Sequence, residues 1–358
     1  MVSNMNTIFT YLEQYKDISF EEHPFNQVDA LVLSQFSYLK WENVIPKISE
    51  GKEAISIQEM HDVMQESEVY FYQHFAKDNR QMFEQMLGGK RFGNMKCNYL
   101  SETLDDSIEI QFCAFTVFPE GALPVVLFRG TDETILGWKE DYNMTSFIPV
   151  SGQVMASLYI KQVALRLAGD FAIAGHSKGG NLAVYSAMTV SEELQSRITD
   201  IYDFDGPHFR KELLEQYDIG RIEDRIHKYI PSASVVGILL ETEHKYKIVS
   251  SYAKNGAFQH SPFRWDVIDG DFVYKKKMEK SSIRLNEGIM HALYSLEPEQ
   301  VVMVGKILFD ILYSSDAETT QDMLREKRKA AFTMLRTMKD IEPQIKEELK
   351  EIIKVVTK

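Results

Sequence analysis

Two cysteines in 358 residues, Cys97 and Cys113, leave no material for a disulfide framework or a thiolate metal site. Also missing are a His-Glu-x-x-His pair, an Asp-rich calcium loop, a Walker-type phosphate loop and a G-x-G-x-x-G turn behind a strand. No metal and no cofactor is therefore expected. Positive charge is scarce: 40 Lys and Arg face 53 Asp and Glu, for a formal net charge of -13, which excludes a sequence-independent grip on nucleic acid. No apolar run approaches the roughly 20 residues needed to span a bilayer. Glu13, Lys16 and Asp17 interrupt the stretch from Met1 to Phe20 where a secretory signal needs an unbroken apolar core. The expectation is a cytoplasmic protein without a transmembrane segment. Peripheral membrane contact and oligomeric state stay open.

What is present is ordinary globular material, 44% hydrophobic and 26% charged, in a chain long enough for an α/β core with additions. Three zones divide it. Residues 1–90 carry apolar residues at helical spacing, as in Val28, Leu31, Val32, Leu33, Phe36 and Leu39, and are expected to be a helical region that caps the mouth of the site. Residues 91–280 alternate strand and helix signals: strands at 108–118, 123–128, 171–174, 198–204, 226–230, 247–250 and 272–274, and a helix at 153–167. Such alternation predicts a mostly parallel central sheet flanked by helices. Residues 281–358 read as helical again, with one apolar stripe through Met338, Ile341, Ile345, Leu349, Ile352 and Val356. A stripe of that kind is expected to pack on its own domain.

The chemistry is concentrated in Gly175-His176-Ser177-Lys178-Gly179-Gly180, directly behind the apolar run Phe171-Ala172-Ile173-Ala174 and before a helical pattern. This is G-x-S-x-G in the strand-turn-helix setting that makes a nucleophile elbow. A serine hydroxyl is a poor nucleophile until a sharp turn exposes it and a base takes its proton. The new helix also directs free N–H groups at the serine, which favours an oxyanion. Phe128-Arg129-Gly130-Thr131-Asp132, at the end of an earlier strand, is the second segment. Thr131 and the residue after the serine, Lys178, are the expected oxyanion donors, with Asp141 accepting the Thr131 hydroxyl proton. His176 is expected to pack beside the site rather than act as base, and the Lys178 side chain to run out to solvent.

Phe128-Arg129-Gly130-Thr131 with Trp138 and Asp141 downstream, followed by Gly-His-Ser-x-Gly-Gly-Asn-Leu-Ala, resembles the core of the class 3 lipases. The chain resembles still more a bacterial family of lipase-like α/β-hydrolases, through Pro24-Phe25-Asn26-Gln27-Val28-Asp29, Gly137-Trp138-Lys139-Glu140-Asp141, Phe204-Asp205-Gly206-Pro207 and Gln259-His260 with Trp265. The likeness covers about residues 5 to 276, with the lipase motifs between about 120 and 270. It implies an α/β-hydrolase fold and ester chemistry, not that fat is the substrate.

Two departures stand out. Lys178 replaces the small apolar residue usual between serine and glycine. Where those lipases carry Asp before Val-Pro, this chain has Ser234-Val235-Val236-Gly237, so another acid is needed to orient the base. Asp205 is the candidate, since it ends the 198–204 strand at the edge where α/β sheets gather their chemistry. Asp203 is the weaker one. Of the histidines beyond it, His260 follows a loop and precedes Trp265 as in the lipases, whereas His291 sits in a helical pattern and His208 is too near Asp205 to reach the serine. The expected enzyme is a serine esterase acting through an acyl-enzyme on a small-molecule ester or lipid-like substrate, with Ser177, His260 and Asp205 as triad. The alternatives are a non-catalytic binding module of the same fold, or an acyltransferase or thioesterase using the same serine.

Overall fold

A computed structural model describes residues 6–65, 75–132, 135–146, 149–240, 245–253 and 256–295, together with residues 300, 343, 346, 347, 349 and 350. Helices α1 (Ile8–Tyr15) and α2 (Gln27–Phe36) come first, then β1 (Ile55–Ser56), α3 (Ile57–Gln65) and α4 (Ala76–Met86). Strands β2 (Lys96–Asp105), β3 (Ile110–Phe118) and β4 (Val125–Phe128) lead to α5 (Ile135–Ser146) and α6 (Ser151–Ala164). The central run is β5 (Phe171–His176), α7 (Lys178–Thr189), α8 (Glu192–Ser196), β6 (Ile198–Phe204), α9 (Lys211–Leu214), β7 (Ile226–Pro231), β8 (Lys247–Val249) and α10 (Gly256–Gln259). A short hairpin, β9 (Val267–Ile268) and β10 (Asp271–Phe272), precedes β11 (Tyr274–Lys275) and α11 (Lys280–Ser295).

Among the described residues nine strands form one sheet in the order β1-β2-β3-β4-β5-β6-β7-β8-β11. The run from β4 to β8 is parallel, and the flanking pairs are antiparallel. This is the α/β-hydrolase architecture expected of the sequence. Alternation along each strand feeds two cores. Ile110, Phe112 and Ala114 of β3 point to the face covered by α6 and α7, together with Phe171 and Ile173 of β5. Cys113, Phe115 and Val117 point to the other face, with Ala172 and Ala174, against α1, α2 and α4.

The N-terminal helices α1, α2 and α4 build a layer of the body on that second face. Asn26 caps α2 by accepting from the N–H groups of Val28 and Asp29, and Asp29 returns a bond to the Asn26 N–H. Asp29 is in turn held in the core by Arg91 Nε at 2.7 Å and the Tyr11 hydroxyl at 2.8 Å. Leu31, Val32, Leu33 and Phe36 are all fully buried. Each such side chain contributes roughly 1.5–3 kcal/mol, so α2 is anchored as firmly as any core helix. Strand β2 lies inside the zone read as α/β but in a segment given no strand, and the C-terminal apolar stripe falls almost wholly outside the described residues.

Candidate active site

Strand β5 delivers His176 and then bends. Ser177 has φ 56° and ψ -132°, a conformation that costs a non-glycine residue on the order of 1–3 kcal/mol and persists only where its surroundings enforce it. The enforcement comes from close backbone approach. A Cβ on Gly175 would lie 2.2 Å from the Gly179 carbonyl carbon, and one on Gly179 would lie 2.1 Å from the Phe128 carbonyl oxygen. Only glycine at both positions lets α7 start against the ends of β4 and β5. The Ser177 N–H donates to the Phe204 carbonyl at 2.9 Å, which ties the turn to the end of β6. Lys178 opens α7, so its own N–H has no helical acceptor and remains available to a ligand.

Asp205 follows β6 in a left-handed conformation, φ 55°, which turns its side chain away from the line of the strand. It is fully buried, and both oxygens are engaged: Oδ2 meets His260 Nδ1 at 2.6 Å, and Oδ1 accepts from the Ser234 hydroxyl at 2.5 Å. A carboxylate opposite Nδ1 places the imidazole proton there and leaves Nε2 with its lone pair. The Ser234 hydroxyl also accepts from the Gly237 N–H at 2.9 Å, so its proton is directed at Asp205. The segment that lacks the expected carboxylate thus supplies a hydrogen bond to Asp205. Asp203, two residues earlier, is a structural clamp: it accepts from the Gly206 N–H and from Lys228 Nζ beneath the turn.

His260 is held from behind. Trp265 Nε1 donates to the Gln259 carbonyl at 2.8 Å, and the Gln259 amide bridges the Ala253 carbonyl and the Ala233 N–H. His176 Nε2 lies 2.9 Å from the His260 carbonyl, its Nδ1 lies 3.0 Å from the Tyr38 hydroxyl, and the two imidazoles meet in a tilted contact with centroids 4.6 Å apart. Burial holds the His176 pKa well below the ordinary histidine value, so a neutral ring donates from Nε2 and accepts at Nδ1. Tyr38, which follows α2, carries no local motif; only the missing side chain of Gly130, where a Cβ would strike the Tyr38 hydroxyl, hints at its approach. Of the other histidines, His208 is buried behind the elbow, His227 pairs with Asp200, His291 is exposed on α11 rather than packed, and His244 lies outside the described residues.

The segments expected to receive an oxyanion come together from the end of β4, α5 and the start of α7. The Thr131 hydroxyl donates to Asp141 Oδ2 at 2.6 Å. Burial pushes the Asp141 carboxyl up to about 6, against the opposing pull of Lys178 and His260. The Lys178 side chain does not run to solvent. It is 1% exposed and turns back to Glu140 Oε2 at 2.8 Å, the Gln111 carbonyl at 2.9 Å and Gln111 Oε1 at 2.6 Å. Glu140 is itself buried and also takes the N–H groups of Gly152 and Gln111. The cation beside the serine is therefore spent on fixing α5 and is not offered to an anionic substrate. Among the described residues no cluster of His, Cys, Asp or Glu has the arrangement of a metal site, and no helix is long and apolar enough to cross a membrane.

Comparison with solved structures finds M37 lipase, 15% identical over 60% of this chain and 69% of the other, with a TM-score of 0.36. It also finds a propeptide complex of a deletion mutant of Rhizomucor miehei lipase, 15% identical over 74% of this chain and 71% of the other, at 0.37. The native complex of the same lipase gives 15%, 62%, 75% and 0.34. Comparison with curated proteins finds no match. The Mbeg1-like family model matches residues 86–310, a span that holds the elbow, both oxyanion segments, Asp205 and His260. With that match over more than half its length the chain belongs to the Mbeg1-like family, and its sheet and elbow have the architecture of an α/β-hydrolase.

Proposed function

We propose that this protein is a serine hydrolase that cleaves a carboxylic ester bearing an acyl or lipid-like group. Ser177 Oγ attacks the carbonyl carbon while His260 Nε2 takes its proton, and Asp205 steadies the imidazolium from the Nδ1 side. The N–H groups of Thr131 and Lys178 receive the negative charge that develops on the carbonyl oxygen. The imidazolium then protonates the departing alcohol, and a water activated by the same nitrogen releases the acid and restores Ser177.

The observation that carries this reading is the 2.6 Å contact between Asp205 and His260 Nδ1, at the edge of the sheet from which the strained Ser177 projects. A surface-loop histidine has no need of a buried carboxylate, and a plain strand-to-helix turn has no need of a left-handed serine. The reducing compartment favoured by two free, buried cysteines makes the cytoplasm the proposed location.

Fluorophosphonate labelling tests the proposal directly. Wild type is expected to label at Ser177 and to hydrolyse p-nitrophenyl esters, with both activities lost in Ser177→Ala. A folded wild type that stays unlabelled would reduce the protein to a binding module, and an ester product formed with added alcohols would make it a transferase.

A further inference from the structure

The oxyanion side has an imbalance that the ester reading leaves unused. A threonine hydroxyl owns one proton. In the arrangement at β4 and α5 that proton goes to Asp141 Oδ2 across 2.6 Å, the length of a bond to a charged acceptor. While it stays there, Thr131 can offer an oxyanion only its backbone N–H. The other oxygen of Asp141, Oδ1, is buried and has no hydrogen-bond partner among the described residues. A buried carboxylate with one bond on one oxygen is poorly solvated as an anion and well suited to hold a proton.

We propose that Asp141 is a positioning residue whose state of protonation decides whether the Thr131 hydroxyl serves the oxyanion. This rests on the Ser177 ester reading and adds to it the regulation of that site by pH. In the ionised state the hydroxyl points at Asp141, and a fixed negative charge stands beside the place where the reaction builds another. In the neutral state the acid proton of Oδ2 is donated to Thr131 Oγ1, across the same short distance. The hydroxyl proton then turns outward and becomes a third donor beside the N–H groups of Thr131 and Lys178. No heavy atom has to move, because the switch reverses one hydrogen bond.

The groups around Asp141 set where the reversal occurs. The loss of solvent, and after it Glu140 on the same helix, favour the neutral acid. Lys178 on α7, the Thr131 hydrogen bond and His260 across the site favour the anion, although Lys178 is already paired with Glu140 at 2.8 Å. The balance leaves the carboxyl at about 6, inside the range where an esterase works. Loss of the Thr131 donor on ionisation gives the rate an alkaline limb that belongs to Asp141.

Hydrolysis of p-nitrophenyl butyrate by the full chain between about pH 5 and about pH 9 reads this limb in kcat. Wild type is expected to lose on the order of a hundredfold as pH rises through the Asp141 transition, the scale of one lost oxyanion donor. Asp141→Asn, whose amide donates permanently to Thr131, is expected to run level across that interval. Thr131→Val should also run level but at a rate lower on the order of a hundredfold, and Thr131→Ser should keep the limb. A limb that survives in Asp141→Asn or in Thr131→Val, or a wild type without one, overturns the proposal. Should Asp141→Asn fail to fold, the Thr131 pair decides alone. Failure of the ester reading would look different, with no fluorophosphonate label on wild type at any pH.

Discussion

Replacing Lys178 by Met removes an ammonium that is 1% exposed and leaves its partner Glu140, 0% exposed, facing Gln111 without a counter-charge. Removing one member of a buried pair typically costs about 3–5 kcal/mol. Glu140 keeps the Gly152 N–H at 2.6 Å and the Gln111 N–H at 3.2 Å, and both soften the loss. The expected cost is therefore near the lower end, about 3 kcal/mol, or a fall in melting temperature on the order of 5 °C for a chain of this size. Urea denaturation at neutral pH measures it. A second substitution sharpens the reading: Glu140→Gln, added to Lys178→Met, removes the stranded charge while its amide oxygen still accepts from Gly152. The double variant should be more stable than Lys178→Met by about 1 kcal/mol or more. If Lys178→Met unfolds with wild type, or the double variant is the weaker of the two, the buried pair does not hold α5 and the reasoning fails.

Ser234→Ala takes from Asp205 a hydrogen bond to a charged oxygen, worth about 1.5–3 kcal/mol. The acylation rate should fall on the order of tenfold to a hundredfold with KM little changed, as stopped-flow burst kinetics would show. His176 supplies a pH dependence of stability. Its folded pKa lies well below the ordinary value of 6.5 because burial disfavours the cation, so the unfolded chain binds the extra proton first. The stability that comes from its neutral ring is present above about 6.5 and is lost as pH falls below it, by at most about 1.4 kcal/mol per pH unit. Urea midpoints for wild type and His176→Asn should converge on acidification; parallel curves would mean that the ring is not buried neutral.

The elbow was legible because everything it needs lies within a dozen residues: an apolar strand, glycines on both sides of the serine and a helix directly after. Asp205 and His260 could be singled out as candidates because each ends a separate local pattern. The partners of Lys178 were not, since Gln111 and Glu140 lie 67 and 38 positions earlier and a distant ion pair leaves no periodicity. Ser234 was hidden for a related reason: a serine where an acid was expected reads as a loss, and only the folded chain shows its hydroxyl against Asp205. Strand β2 escaped because its buried and half-exposed positions, with charges at Lys96, Glu102 and Asp105, lack the apolar run that marks a central strand. Helix α2 was recognised as a helix but not as core, although its almost unbroken apolar stretch is what burial on all sides demands.

The placement of α2 binds the front of the chain to the serine more tightly than the order of residues suggests. The family match begins at residue 86, but a chain cut there would strip the cover from Phe115, Leu127 and Ala174 and take Tyr38 away from His176. Such a fragment would keep every residue of the proposed reaction and still expose half of its sheet to water. Insertions or exchanges among the first 40 residues should accordingly register at Ser177 itself, through the strand on which α2 lies.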